Sequence, residues 1–238
     1  MPLKATINYS PNFNIKKRLK KSIKFLIFHY TGMKSEAAAI KKLTNIQSEV
    51  ASHYLIKKNG EIVIFVPDSY VAWHAGVSAW KKYKFLNQNS IGIEISNPGH
   101  QFGYKKFSLK QVNSLIKLSK FLIKKYKINK KNILGHSDIA PLRKKDPGEN
   151  FPWKYLAKKN IGFWHNLKNN ELNKLRNKKC NKILNNKFFA NLYKIGYSKN
   201  YKKQNEKLLI KAFQRRFRPR LINGIIDQEC LLLSKNLI

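Results

Sequence analysis

The stretch "SIGIEIS", residues 90–96, decides the fold class. Ile91, Ile93 and Ile95 fall on one face of an extended chain and Gly92, Glu94 and Ser96 on the other, the two-residue period of a β-strand. One face is made for a core; the other carries a glutamate. Downstream the period changes. In "SLKQVNSLIKLSKFLIKKYKI", Val112, Leu115, Ile116, Leu122 and Ile123 form one helical stripe, and Ser108 and Gln111 stand at capping-box spacing. A strand followed by a long amphipathic helix is a unit of an α/β sheet.

Further elements extend that sheet in both directions. "KFLIFHY", residues 24–30, is apolar and aromatic over strand length and puts Phe25, Ile27 and His29 on one face. "SEAAAIKKLTNIQ", residues 35–47, has a Ser cap and good helix formers. "HYLIKKNGEIVIFVP" is two apolar runs around Asn59-Gly60, a strong hairpin signal. "NILGHS", residues 132–137, reads as a short buried strand ending in a loop. The sequence therefore predicts an α/β protein: a mixed central β-sheet flanked by helices, followed by a small all-α domain, because residues 165–238 hold several helical stretches and no convincing strand. The expected units are 1–163, with residues 1–22 a polar, basic N-terminal arm, and 164–238.

The charge is extreme: 49 Lys and Arg against 12 Asp and Glu, a formal net charge of +37. Such an excess binds polyanions nonspecifically by releasing counterions. Here it is spread along the whole chain, is nearly all Lys and comes with abundant Asn and Ile, the pattern of an A/T-rich coding sequence, so no specific nucleic-acid partner is expected. The two cysteines, Cys180 and Cys230, have no neighbouring ligand spacing and are read as small buried side chains. No apolar stretch is long enough for a transmembrane helix, and no export signal is visible, which predicts a cytoplasmic protein with a periplasmic one not excluded.

Chemistry concentrates in "ILGHSDIAPLRKKDPG", residues 133–148, where a histidine and two acids lie within eleven residues beside Arg143, Lys144 and Lys145. His29 and His136 come near strand ends, where side chains point into a cleft, and Asp146 follows His136 at loop distance. A catalytic zinc takes three protein ligands and keeps one position open. The spacing alone leaves two readings standing: a metal site, or an ordinary loop Asp beside a capped strand-end His.

Five blocks in order, "FLIFHYTG", "ASHYLI", "AWHAGVSAW", "SIGIEISNPG" and "GHSDIAPLRKKDPG", resemble the zinc-dependent N-acetylmuramoyl-L-alanine amidases of the type 2 family, whose fold is shared with peptidoglycan recognition proteins and phage amidase lysozymes. The resemblance covers roughly residues 20–155. It implies one Zn2+ per chain held by His29, His136 and Asp146, the aspartate placing the chain with the bacterial enzymes rather than the phage branch, whose third ligand is Cys. It implies that Glu94 acts on the water at the metal and that Lys144 sits over the reacting carbonyl. Phage relatives have a Tyr where this chain has Ser52, which leaves Glu94 as the base. Tyr30, His74, Ala75, Asn97 and Arg143 are the expected substrate-binding positions, with simple loop hydrogen bonding the competing reading for Asn97 and Arg143. His53 and His74 also read as structural or cleft-lining, Trp73 and Trp80 as core or sugar-stacking, and Asp138 as a backbone hydrogen-bonding residue of its loop.

The substrate so implied is peptidoglycan or a muropeptide, cut between muramic acid and L-alanine in wall turnover or recycling by a chain expected to be monomeric. Intact wall and soluble anhydro-muropeptide both remain open. The alternative is a binding protein of the same fold that has lost the metal; the five matched residues His29, Glu94, His136, Lys144 and Asp146 count against it. At the other end, "LLIKAFQRRFRPRLINGIIDQECLLL", residues 208–233, resembles the small helical peptidoglycan-binding domain that often follows these amidases, with Phe213 and Phe217 one turn apart and Asp227 placed to cap the last helix.

Overall fold

A computed structural model describes residues 4–199 and 203–238 of the chain. The strands are β1 (Thr6–Ile7), β2 (Phe13–Asn14), β3 (Phe25–Tyr30), β4 (Tyr54–Ile56), β5 (Ile62–Ile64), β6 (Val71–Ala72), β7 (Ala79–Trp80), β8 (Tyr83–Lys84), β9 (Ser90–Ile95) and β10 (Ile133–Gly135). The helices are α1 (Glu36–Thr44), α2 (Leu109–Tyr126), α3 (His136–Ile139), α4 (Trp153–Lys158), α5 (Asn169–Leu175), α6 (Lys182–Ile195), α7 (Glu206–Phe217) and α8 (Gln228–Asn236). Six strands form one mixed sheet in the order β1-β5-β4-β9-β3-β10, and the other four form two small antiparallel pairs. Within the sheet β10, β3, β9 and β4 run parallel, while β5 turns back antiparallel to β4. The expected mixed sheet flanked by helices, with a helical C-terminal portion, is what forms.

Alternation along the central strands divides the core. Leu26 and Phe28 of β3 join Ile91, Ile93 and Ile95 of β9 and Ile133 of β10 against Leu115, Leu118 and Leu122 of α2. Leu118, inside the Lys-rich run "KLSK", completes a stripe whose edges, Ile116 and Ile123, are only partly buried. The capping box of α2 is present, with Ser108 accepting from the Gln111 N–H and Gln111 accepting from Ser108. The hairpin turn differs in detail from a two-residue loop. The Gly60 N–H donates to the Lys57 carbonyl at 2.9 Å, and only Gly60, at φ +88°, is left-handed.

The opposite face of β3 buries Phe25 and Ile27. With Leu134 of β10 and Trp80 they share one cluster with Phe188 and Leu192 of α6, Leu209, Phe213 and Phe217 of α7, and Cys230 and Leu233 of α8. The helical portion thus covers a sheet face that would otherwise be exposed. Trp80, fully buried against Tyr197 at 4.9 Å between ring centres, is core rather than a sugar platform. Asp227 caps α8 by accepting from the Cys230 N–H at 2.9 Å. Cys230 is buried as expected, whereas Cys180 is only partly so.

The N-terminal segment is not a loose arm. Residues 1–3 lie outside the described residues, but from β1 onward the segment pairs with the sheet and with β6. Asn12 is fully buried, and Arg18 threads inward to the carbonyls of Asp68 at 3.0 Å and Ser90 at 2.7 Å. Two-residue strands are too short to leave an alternation, and their partners lie 57 to 59 residues away, which is why the sequence reads only as polar and basic. No described helix is long and apolar enough to cross a membrane.

Candidate active site

Parallel pairing does the first assembly. In the register of β3 and β9, His29 lies opposite Glu94; in that of β3 and β10, Gly135 lies opposite Phe28, so His136 emerges level with His29. The carboxyl ends of adjacent parallel strands are where open α/β sheets place their ligands. The loop after α3 folds back to deliver Asp146, and the Ser137 N–H holds the Asp146 carbonyl at 2.8 Å.

Three donor atoms meet there. His29 Nδ1 is 3.0 Å from His136 Nδ1 and 3.0 Å from Asp146 Oδ2, and His136 Nδ1 is 3.1 Å from the same oxygen. All three side chains are buried. A triangle of this size fits a cation about 2.0–2.2 Å from each corner, the range of zinc with imidazole nitrogen and carboxylate oxygen. Protonation agrees with that use. Burial, and then the neighbouring His136, push the His29 imidazole down to about 4, so it is neutral at physiological pH. Burial alone would raise Asp146, but His136 and His29 outweigh it and hold the carboxyl well below the usual range. Two imidazoles and one ionised carboxylate aimed at a common point could hold a metal ion.

Glu94 stands beside this triangle on β9. Its Oε2 is buried and receives no hydrogen bond. Burial, reinforced by the negative charge of Asp146 and opposed by Lys144, pushes its carboxyl up to about 8. Lys144 lies on the same cleft, a space of about 620 Å³ whose wall also includes Tyr30, His74, Arg143 and His100.

The other expected site residues separate into wall and scaffold. Tyr30 is on the wall, its hydroxyl 2.9 Å from His100 Nδ1. Arg143 is on the wall with its guanidinium pinned by the carbonyls of Ala75 and Val77. His74 touches the cleft but chiefly backs His29, its Nδ1 3.1 Å from His29 Nε2. Ala75 is fully buried, and its carbonyl takes His136 Nε2 at 3.1 Å, so its role here is to hold a ligand. Asn97 is also buried off the wall. It bonds the Gly99 N–H at 3.1 Å and the Lys105 carbonyl at 2.8 Å, the loop-bonding reading of that residue. His53 is structural, accepting the Gly92 N–H on Nδ1 at 3.0 Å.

Sequence reasoning left two groups without a role. His100 bridges Tyr30 to Glu149, 3.0 Å from the carboxylate, and stacks on Tyr104 at 4.5 Å. Lys42 of α1 also lines the cleft. Neither announces itself: Lys42 is one lysine among dozens, and His100 is placed by the left-handed turn at Gly99, φ +70°.

The family model for N-acetylmuramoyl-L-alanine amidases, Amidase_2, matches residues 19–149, more than half of the chain and all of the residues just described. The chain belongs to this amidase family. Over 230 residues the amidase is 35% identical to N-acetylmuramoyl-L-alanine amidase AmiD of Escherichia coli (strain K12), covering 91% of this chain and 82% of that one. The solved complex of E. coli AmiD with anhydro-N-acetylmuramic acid-L-Ala-D-gamma-Glu-L-Lys superposes with a TM-score of 0.78 at 34% identity, over 94% of this chain and 91% of the other. AMPDH3 from Pseudomonas aeruginosa, solved with an anhydromuramic pentapeptide, gives 0.79 at 30% identity over 98% and 97%. Both likenesses run through the helical portion of the amidase as well as the sheet.

Proposed function

We propose that this amidase is zinc-dependent and hydrolyses the amide between N-acetylmuramic acid and L-alanine in muropeptides or peptidoglycan, in wall turnover or recycling. The observation that carries the reading is the convergence of His29 Nδ1, His136 Nδ1 and Asp146 Oδ2 within 3.1 Å of one another in the lining of the cleft. When bound, zinc supplies Lewis acidity that activates water and polarises the amide carbonyl.

The chain's own residues do the rest. Glu94 in its ionised form, which a cation held by the neighbouring ligand set would favour, takes the proton of the attacking water and delivers it to the departing alanine nitrogen. Lys144 supplies fixed positive charge where the carbonyl oxygen becomes an oxyanion. Tyr30 and Arg143 line the cleft where the muropeptide lies. The acyl-transfer reading is supported further by relatives whose structures hold anhydromuramic peptides. We assign wall binding to the helical unit, residues 164–238, on its resemblance to peptidoglycan-binding helical domains. Metal analysis of the purified monomer together with mass spectrometry of a muropeptide digest tests the proposal: one zinc per chain and release of the intact stem peptide are expected, and full activity after exhaustive chelation overturns it.

A further inference from the structure

Each ligand histidine turns Nδ1 toward Asp146 and must keep that nitrogen free of a proton to bind a cation. What keeps it so is the partner of the other ring nitrogen. For His136 the answer is immediate. Its Nε2 faces the Ala75 carbonyl at 3.1 Å and Arg143 Nη2 at 3.3 Å; the two Nη2 protons go to the Ala75 and Val77 carbonyls, and a carbonyl only accepts, so Nε2 carries the proton and Nδ1 is the lone pair.

For His29 the partner is another imidazole, His74, whose Nδ1 lies 3.1 Å from His29 Nε2 and can act either way. The direction is set one residue further back. His74 Nε2 is 3.1 Å from Ser90 Oγ, and the Ser90 hydroxyl gives its single proton to the Leu86 carbonyl at 2.6 Å. With that proton committed, Ser90 accepts, so His74 Nε2 is the N–H. A neutral imidazole has only one N–H, so His74 Nδ1 accepts from His29 Nε2, and His29 Nδ1 is left as a lone pair aimed at the metal position. His74 is buried among His29, His53 and Ser90, with no carboxylate in hydrogen-bond contact among the described residues, surroundings that hold a neutral imidazole rather than a cation.

Sterics hold this chain of bonds in line. His74 lies against β9 at Gly92, where an added Cβ would stand 2.4 Å from the His74 ring. Only glycine leaves room for the imidazole, which explains the gap in the less apolar face of "SIGIEIS". The His53 ring closes the other side, its centre 5.5 Å from that of His74.

We propose that His74 is a positioning residue for the metal centre: oriented by Ser90 and seated on Gly92, its Nδ1 fixes His29 in the tautomer that presents Nδ1 to zinc. The proposal rests on the zinc reading above and assigns His74 a task distinct from substrate binding.

The test uses the full chain in metal-free form. Nitrogen-15 correlation spectra of the imidazoles report the tautomers directly, and competition with a chelator reports zinc affinity. The wild type is expected to show His29 protonated at Nε2. His74→Phe removes the acceptor and is expected to weaken zinc binding about 10- to 100-fold, the usual scale for losing such a partner. His74→Asn, which returns an acceptor oxygen near the Nδ1 position, is expected to recover part of that loss. Ser90→Ala, too small a change to disturb packing, is expected to let the His74 proton redistribute between its nitrogens. A wild-type His29 protonated at Nδ1 overturns the proposal. So does a folded His74→Phe that binds zinc like the wild type, or equal losses in the Phe and Asn variants. Should His74→Phe fail to fold, unchanged tautomers in Ser90→Ala overturn it as well. A wild type that takes up no zinc overturns the zinc reading itself, while the tautomer spectra still show whether Ser90 and His74 orient His29.

Discussion

His136 and Asp138 stand two residues apart on the same helical turn, yet they meet opposite surroundings. On the Asp138 side both carboxylate oxygens are paired: Oδ2 accepts the Gly135 N–H at 2.7 Å and an ion pair from Arg216 of α7, and Oδ1 accepts the Tyr197 hydroxyl at 3.0 Å. Arg216 in turn stacks on Trp153 at 4.0 Å and bonds the Ile133 carbonyl at 3.0 Å. On the His136 side three acceptor atoms converge, and Glu94 Oε2 is buried without a partner. A matched buried charge rigidifies its neighbourhood, whereas converging lone pairs call for a cation. The helical portion therefore holds the loop that carries His136 from behind through Arg216, and the converging side chains face the cleft.

The sharpest way to break this comparison is Asp146→Ala. Removing one of three ligands on the cleft side is expected to abolish zinc retention and activity together while the metal-free melting temperature stays near that of the wild type, measured by metal analysis and thermal denaturation. Glu94→Gln comes next. Zinc is expected to remain and turnover to fall about a hundredfold, the scale of a lost acid–base group. Zinc loss in Glu94→Gln with retention in Asp146→Ala would exchange the two roles.

Glu94 also makes the cleft side sensitive to pH. Its folded value, about 8 without metal, lies above its ordinary 4.5, so folding favours the protonated acid. Its contribution to stability is complete below about 4.5 and is lost as pH rises through 8. Thermal melts of the metal-free protein are expected to show the wild type falling relative to Glu94→Gln between pH 5 and 8, and parallel curves would remove the assignment of Glu94 as a partly buried acid with an unpaired Oε2.

On the opposite side, Arg216→Ala strands the Asp138 carboxylate and is expected to cost about 3–5 kcal/mol, read by chemical denaturation. The same reasoning applies to residues 1–163 on their own. Truncation uncovers Phe25, Ile27, Trp80 and Leu134 and removes Arg216, so the fragment is expected to aggregate or to bind zinc poorly. An active, soluble fragment would show that the catalytic side stands without its support. The smallest effect is Tyr197→Phe, which removes one of the bonds to Asp138 and is expected to cost about 1–2 kcal/mol with zinc affinity unchanged.

Much of this was legible in the chain because it is local. The period of "SIGIEIS" set Ile91, Ile93 and Ile95 against α2, and Ser108 and Gln111 fixed where that helix starts. The resemblance drew His29, His136 and Asp146 together, and the parallel register of β3, β9 and β10 is the physical reason they meet. The sequence left Asn97 open between a substrate contact and loop bonding because it cannot say which way a loop turns; Asn97 bonds its own loop, and Ala75 offers a carbonyl to His136.

The sequence by itself determined the alternating strands, the capped helices and the residue types that can bind a metal, since each depends on neighbours within a few positions. Only the tertiary structure decided that Arg216, seventy-eight residues from Asp138, would complete its charge, and that Arg18 would reach the Ser90 carbonyl at the start of β9. Only it placed Ser90, through His74, so as to orient His29. Those pairings depend on the packing of distant segments, and a lone arginine, serine or histidine carries no local pattern that reveals its partner.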